Sequence, residues 1–164
     1  MVMDQDKFCE NIKLYEKSMY FLAYSLVRNE EDAADVVSDA ILKAYASLEK
    51  LRNTNHFKTW ILSIVHNCAV ELLRKNKNVI DIEQVGDIED KISNRDIETV
   101  ITLKEAVDKL KNPYREVVIL FYYENLPTDK IAKIMKSNVF TVRQQLSRAR
   151  KQLKQVLKED FYNE

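Results

Sequence analysis

Apolar residues recur at three- and four-residue spacing through most of the chain. In residues 6–27 the stripe is Phe8, Ile12, Tyr15, Met19, Leu22 and Leu26, which predicts an amphipathic helix. The polar run from Arg28 to Glu31 breaks it, and Asn29 is placed to cap a second helix over about 30–50. That helix buries Ala33, Val36, Val37, Ala40, Ile41, Ala44 and Leu48. Residues 51–58 are polar and read as a loop. A third helix is predicted over 59–75, with Trp60, Ile61, Ile64, Val65, Cys68, Ala69 and Leu72 on its inner side. The pattern then lapses over 78–100. It resumes as short helices over 102–110 and 114–124, the latter apolar enough to be a central core element. A helix from Pro127 or Thr128 to Met135 follows. The polar break Lys136-Ser137-Asn138 then leads into a last helix, with Ser137 or Asn138 as its cap. In that helix Val142, Leu146, Ala149 and Leu153 share one side and must face Ile131 and the 114–124 helix.

Composition narrows the class. One Gly and two Pro leave little turn chemistry for hairpins, and the abundance of Leu, Ala, Lys, Glu and Gln favours helix. The expected fold is all-α. The 46% apolar content can build a core in 164 residues, as one domain or two small ones. No apolar run approaches the ~20 residues of a membrane span. The first residues, MVMDQDKF, lack a signal-peptide core, so a cytoplasmic protein is expected. Cys9 and Cys68 are isolated, and the expectation is two buried free thiols. His66 in the third helix reads as a satisfied structural residue. No metal, cofactor or catalytic constellation is visible, so the chain does not read as an enzyme.

Charge adds an organisation that the apolar pattern does not carry. The net charge of zero hides an acidic middle and a basic end. Residues 81–100 hold two basic and seven acidic residues. From Lys136 to Lys158 there are seven basic residues and no Asp or Glu. The expected organisation is a first domain over 1–78, an acidic flexible linker over 79–100, and a second domain over 101–164. Two short helices across a three-residue break, the second basic outside, are what a major-groove reader needs. Arg143, Gln144, Ser147, Arg148, Lys151 and Lys154 fall on that outer face. Arg suits guanine and Gln suits adenine, while Arg and Lys further along the helix would hold phosphates. Asp32, Asp35 and Asp39 share a face of the second helix, either simply solvated or a docking surface for a basic partner.

Taken together, these stretches resemble the extracytoplasmic-function (ECF) group of bacterial RNA polymerase sigma factors, in the sigma-70 family. Residues 29–40 (NEEDAADVVSDA) resemble the group's polymerase-binding helix, and 57–67 (FKTWILSIVHN) its minus-10 reading segment. Residues 110–115 and 126–153, with Thr141-Val142-Arg143 and Ser147-Arg148-Ala149-Arg150, resemble its minus-35 domain. The resemblance implies that Asp35, Ser38 and Asp39 lie where the clamp helices of the largest polymerase subunit dock. It implies that Leu51 and Asn67 form a pocket for a flipped base, offsetting part of a few kcal/mol of unstacking. It implies minus-35 contacts from Arg143, Gln144, Ser147, Arg148, Arg150 and Lys151. The implied partners are core RNA polymerase, promoter DNA and an anti-sigma factor, often membrane-anchored, with no small-molecule substrate; the implied setting is an envelope or external stress.

Three positions depart from the group. Ser38-Asp39 replaces its usual Gln-Glu, Phe140 stands where a small residue is usual, and Leu110-Lys111 replaces a Leu-Pro pair, with Pro113 displaced. Two other readings remain. A stand-alone helix-turn-helix regulator with a sensing first half would bind an operator without polymerase, and charge reversal at Asp35 and Asp39 would leave it intact. A pure adaptor would not need the base-capable face at 143–148.

Overall fold

The structure, a computed structural model, describes residues 2–80 and 103–162. All the regular structure described is helical. Helix α1 spans Gln5–Val27, α2 Glu30–Ala46 and α3 Phe57–Ile80, with short 3-10 turns at Leu48–Lys50 and Thr54–His56 between the last two. The second domain holds α4 (Leu103–Lys109), α5 (Tyr114–Val118), α6 (Thr128–Ile134) and α7 (Val139–Tyr162). The expected acidic linker falls almost wholly outside the described residues, and α3 runs through 79 and 80, its first expected positions.

In the first domain α1, α2 and α3 pack on one another in pairs. Each start has a local cause. Asp4 accepts a bond from the Lys7 N–H at 2.8 Å, and Asn29 caps α2 as expected, accepting from the Asp32 N–H at 2.9 Å. Between these helices Arg28 adopts φ 57° and its N–H donates to the Tyr24 carbonyl, which ends α1 without a glycine. The bottom of the domain is aromatic. Phe57, 2% exposed, has its ring within 6.1 Å of Phe8, 5.9 Å of Tyr15 and 5.7 Å of Trp60. Burying such a ring contributes about 3 kcal/mol, enough to fix where α3 begins.

The second domain is organised around the residue run 114–124, as its hydrophobicity predicts, but not as one plain helix. After α5 the chain forms a π-turn over Ile119–Tyr123, closed by the Glu124 N–H donating to the Ile119 carbonyl at 3.0 Å. Val117, Val118, Ile119 and Leu120 are buried there, and α7 covers them with Val142, Leu146 and Ala149. Asn112 does not cap α5. The Asn112–Pro113 peptide is cis, and Pro113 stands at the cap position without a side-chain bond.

The two domains touch. Helix α3 packs on α6, and α1 meets α5. Phe21 and Tyr123 bring their rings to 5.4 Å across this junction.

Candidate nucleic-acid and polymerase interfaces

The helix-turn-helix is built by backbone bonds that the sequence only half announces. Helix α6 stops because Lys136 adopts φ 52°. The Ser137 N–H then reaches back to the Ala132 carbonyl at 2.9 Å, and the Lys136 N–H to the Lys133 carbonyl at 3.4 Å. This is a Schellman closure with Lys where glycine is usual. Two residues later Asn138 accepts from the Thr141 N–H at 2.8 Å and starts α7. Of the two expected caps, Asn138 is the one used. Helices α6 and α7 are thereby locked against each other at Ile131, Ile134, Val142 and Leu146, all buried.

On the opposite side of α7, Arg143, Gln144, Ser147, Arg148 and Lys151 are all exposed and share one solvent-facing surface. Phe140, 70% exposed, stands on the same surface near the start of the helix. Its ring points away from the core, so the departure from a small residue there alters the outer face and not the packing. Arg150 is different. It lies only about 40° around the helix from buried Leu146, at 100° per residue. Its Nε donates to the Tyr122 hydroxyl at 2.7 Å, and its guanidinium sits 5.5 Å from the Phe121 ring centre and 5.6 Å from that of Tyr122. Of the six expected minus-35 residues, five stand on the open face, and Arg150 is drawn back onto the helix beneath. Together with Lys154 and Lys158, Arg150 also rims an apolar groove of about 650 Å³ floored by Leu103, Val107 and Val118.

The α2 face carries the expected polymerase contacts. Asp35, Ser38 and Asp39 are exposed. Ser38 lines a groove of about 700 Å³ between α1 and α2, with Tyr20, Phe21 and Ile41. Asp39 is not a lone charge. The Lys43 ammonium, one turn on, lies 3.1 Å from it and 3.0 Å from Glu71 of α3, and Lys75 approaches Glu71 at 3.7 Å. Hydrogen bonds to Glu71, then Asp39, hold the Lys43 ammonium charged well above its usual range, and Lys43 in turn lowers the Glu71 carboxyl. These groups are solvent-exposed, so the network orients side chains more than it stabilises the fold. Composition could not show the cross-helix link to Glu71, although the Asp39–Lys43 spacing is legible in sequence.

The expected minus-10 residues are held unequally. Leu51, 6% exposed, belongs to the first domain's core, its N–H donating to the Leu48 carbonyl at 3.1 Å. Asn67 is half-buried on α3. Its neighbour His66 is a satisfied structural residue, as expected. What satisfies it is unforeseen: Nδ1 pairs with the Glu116 carboxylate of the second domain. The thiol expectation is corrected in one place. Cys68 is buried, and burial pushes its thiol up to about 11, but Cys9 is exposed, because position 9 lies one residue beyond the Phe8 stripe of α1. Among the described residues no group of His, Cys, Asp and Glu could hold a metal ion, and no helix is long and apolar enough to cross a membrane.

Comparison with known proteins agrees with this division. The Sigma-70 region 2 profile matches residues 12–79, and the Sigma-70, region 4 profile matches residues 101–153. RNA polymerase sigma factor SigV of Bacillus subtilis (strain 168) is 36% identical over 154 residues, covering 90% of this chain and 89% of that one. ECF RNA polymerase sigma factor SigW of the same organism is 27% identical over 171 residues, covering 95% and 91%. Among solved structures, the sigma factor RpoE from Bartonella quintana, crystallised with the anti-sigma factor NepR, superposes with a TM-score of 0.75 at 23% identity, over 92% of this chain and 96% of that one. CnrH, solved with the cytosolic domain of CnrY, gives 0.67 at 20% identity, over 96% and 91%. The two profiles fall on the two helical domains in order, and a known sigma factor aligns over about nine-tenths of both chains; the chain belongs to the sigma-70 family of RNA polymerase sigma factors, in its ECF group.

Proposed function

We propose that this protein binds core RNA polymerase as a dissociable subunit and directs initiation at promoters that carry two separated elements. The observation that carries this reading is the exposed face of α7. Arg143 and Gln144 stand there with Ser147, Arg148 and Lys151 beside them, ordered from base-capable to phosphate-binding along the helix. Arg143, Gln144, Ser147 and Arg148 read the minus-35 element, and Lys151 sets register on the backbone. Arg150 supports the reading helix from beneath. In the first domain, Asn67 meets the flipped minus-10 base against the wall that Leu51 helps build. Asp35, Ser38 and Asp39 meet the polymerase clamp, with Lys43 holding the Asp39 carboxylate in place. Domain limits of 1–78 and 101–164, with an acidic tether between, suit this two-point contact.

An anti-sigma factor holds the protein inactive until an envelope or external stress releases it. A membrane-anchored anti-sigma factor would keep the protein in the cytoplasm at the inner face of the membrane. Sigma factors are initiation factors, so the chemistry of RNA synthesis belongs to the polymerase.

Run-off transcription with sigma-free core polymerase and genomic fragments of the source bacterium tests the reading. A discrete transcript that depends on this protein is expected. Reversing the acidic face, Asp35→Lys with Asp39→Lys, is expected to weaken core binding roughly tenfold or more, about 1.4 kcal/mol per tenfold. Absence of any specific transcript from folded protein, or core binding untouched by the reversal together with tight operator binding alone, favours a stand-alone regulator instead.

A further inference from the structure

Phe140 puts a bare aromatic ring on an otherwise polar face. It is the second residue of α7, and its side chain is 70% exposed. Helix geometry explains the exposure. At 100° per residue, position 140 lies about 160° around the helix from buried Val142. Ser147, Gln144 and Arg143 fall about 20°, 40° and 60° from it. The ring therefore stands among the side chains that face outward to meet bases. Its backbone is held on both sides. The Thr141 N–H donates to the Asn138 side chain at 2.8 Å, and the Val142 N–H to the Asn138 carbonyl at 3.1 Å. Among the described residues no second ring packs against Phe140.

A single exposed apolar side chain is ordinary on most surfaces. Two features set this one apart. Its outward neighbours along α7, Arg143, Gln144, Ser147, Arg148 and Lys151, are all polar or charged and exposed. It also stands in the first turn, the part of a recognition helix that reaches base edges. A duplex seated on this face covers the ring. What the ring can then recognise follows from the major groove itself. Guanine, adenine and cytosine show donors and acceptors there, and thymine alone adds a methyl group. A phenyl ring has no hydrogen bond to give. Pressed on an amino or carbonyl group it leaves that group dry and unpaired, which is costly. Pressed on a thymine methyl it buries apolar surface against apolar surface. Phe140 thus favours thymine and penalises the other bases by the same contact.

We propose that Phe140 is a specificity-determining residue of the minus-35 contact, seating its ring on the C5-methyl group of a thymine. This inference rests on the proposed reading of the minus-35 element by α7. It adds a preference that the hydrogen bonds of Arg143, Gln144, Ser147 and Arg148 do not supply, because they do not report a methyl group. Position 140 is about 6 Å along the helix from Gln144, at about 1.5 Å per residue. Base pairs repeat every 3.4 Å or so, so the thymine lies within about two base pairs of the one that Gln144 meets.

Holoenzyme assembled from the full chain and core polymerase, offered a random duplex library, tests this. Wild-type protein is expected to enrich a T·A pair at one position of the upstream element. Phe140→Ala is expected to lose that preference alone and to keep the rest, and Phe140→Leu, still apolar, to keep part of it. On the selected duplex, deoxyuridine in place of that thymidine removes only the methyl group. Wild-type affinity is expected to fall about fourfold, as loss of one buried methyl group gives, and Phe140→Ala affinity not at all. The side chain is exposed, so thermal melting of the variants is expected to match wild type. Uracil bound as tightly as thymine by wild-type protein, or unaltered base preferences in Phe140→Ala, overturns the thymine contact. A loss spread evenly over all sequences also overturns it and moves the ring to the sugar–phosphate backbone. In these cases Arg143→Ala, by losing preference at its own base pair, leaves the minus-35 reading standing. Selection of no upstream element by wild-type holoenzyme overturns that reading, and the thymine contact with it.

Discussion

Arg143 and Arg150 show how far residue type alone can mislead. Both are arginines of one basic helix, and both fit the pattern of a minus-35 reader. Their positions on the helix separate them. Arg143 is exposed on the outer face, whereas the Arg150 guanidinium is shared between the Tyr122 hydroxyl and two aromatic rings. Arg143→Ala is therefore expected to cost about 1–3 kcal/mol of specific duplex binding and to relax preference at one base pair, with thermal stability little changed. Arg150→Ala is expected to lower the melting temperature, through a lost cation–π contact and hydrogen bond of roughly 1–2 kcal/mol, and to weaken DNA binding without changing sequence preference. Binding assays on a set of single-base variants, paired with thermal melts, separate the two. Equal loss of base preference in both variants would return Arg150 to the reading face.

At the scale of elements, most of the fold was legible because most of it is local. Three- and four-residue periodicity located each described helix, and Asn29 and Asn138 cap where short polar side chains should. What escaped the sequence depends on partners far along the chain or on backbone angles that no side chain advertises. The π-turn at 119–123 and the pairing of His66 with Glu116 are of this kind. So is the end of α6, where Lys136 takes a left-handed conformation usually left to glycine. That conformation costs a non-glycine residue about 1 kcal/mol. Lys136→Gly is expected to stabilise the second domain by up to about that amount, less the extra entropy glycine carries when unfolded. A denaturant midpoint that falls would show that the Lys136 side chain stabilises the turn in a way its backbone does not reveal. The candidate site was legible to a similar degree. The open face of α7 and the acidic face of α2 follow from periodicity, but the Lys43–Glu71 bridge that orients Asp39 needs two helices to be seen together.

For the whole molecule, zero net charge is a sum of opposed faces, and the arrangement of those faces decides how it meets DNA. The outer surface of α7 stays exposed while α3 and α6 are packed together. The reading face proposed for the second domain is thus open to a duplex while the two domains are packed together. That engagement is expected to be electrostatic and modest, because α2 with Glu30, Glu31, Asp32, Asp35 and Asp39 repels the same phosphates. With about three or four phosphates neutralised by Arg148, Lys151, Lys154 and their neighbours, the slope of log affinity against log salt should be near −3. Lys151→Ala should shrink that slope by about 0.9 and weaken all sequences alike, whereas Gln144→Ala should leave the slope and reduce discrimination at its base. Fluorescence anisotropy on a labelled duplex over 50–300 mM salt, a range of roughly that order, measures both. A slope that does not respond to Lys151 would move the phosphate track off the outer face of α7, to the basic rim formed by Lys154 and Lys158. It would place the duplex across the groove beside α4 and change which side of the second domain faces the promoter.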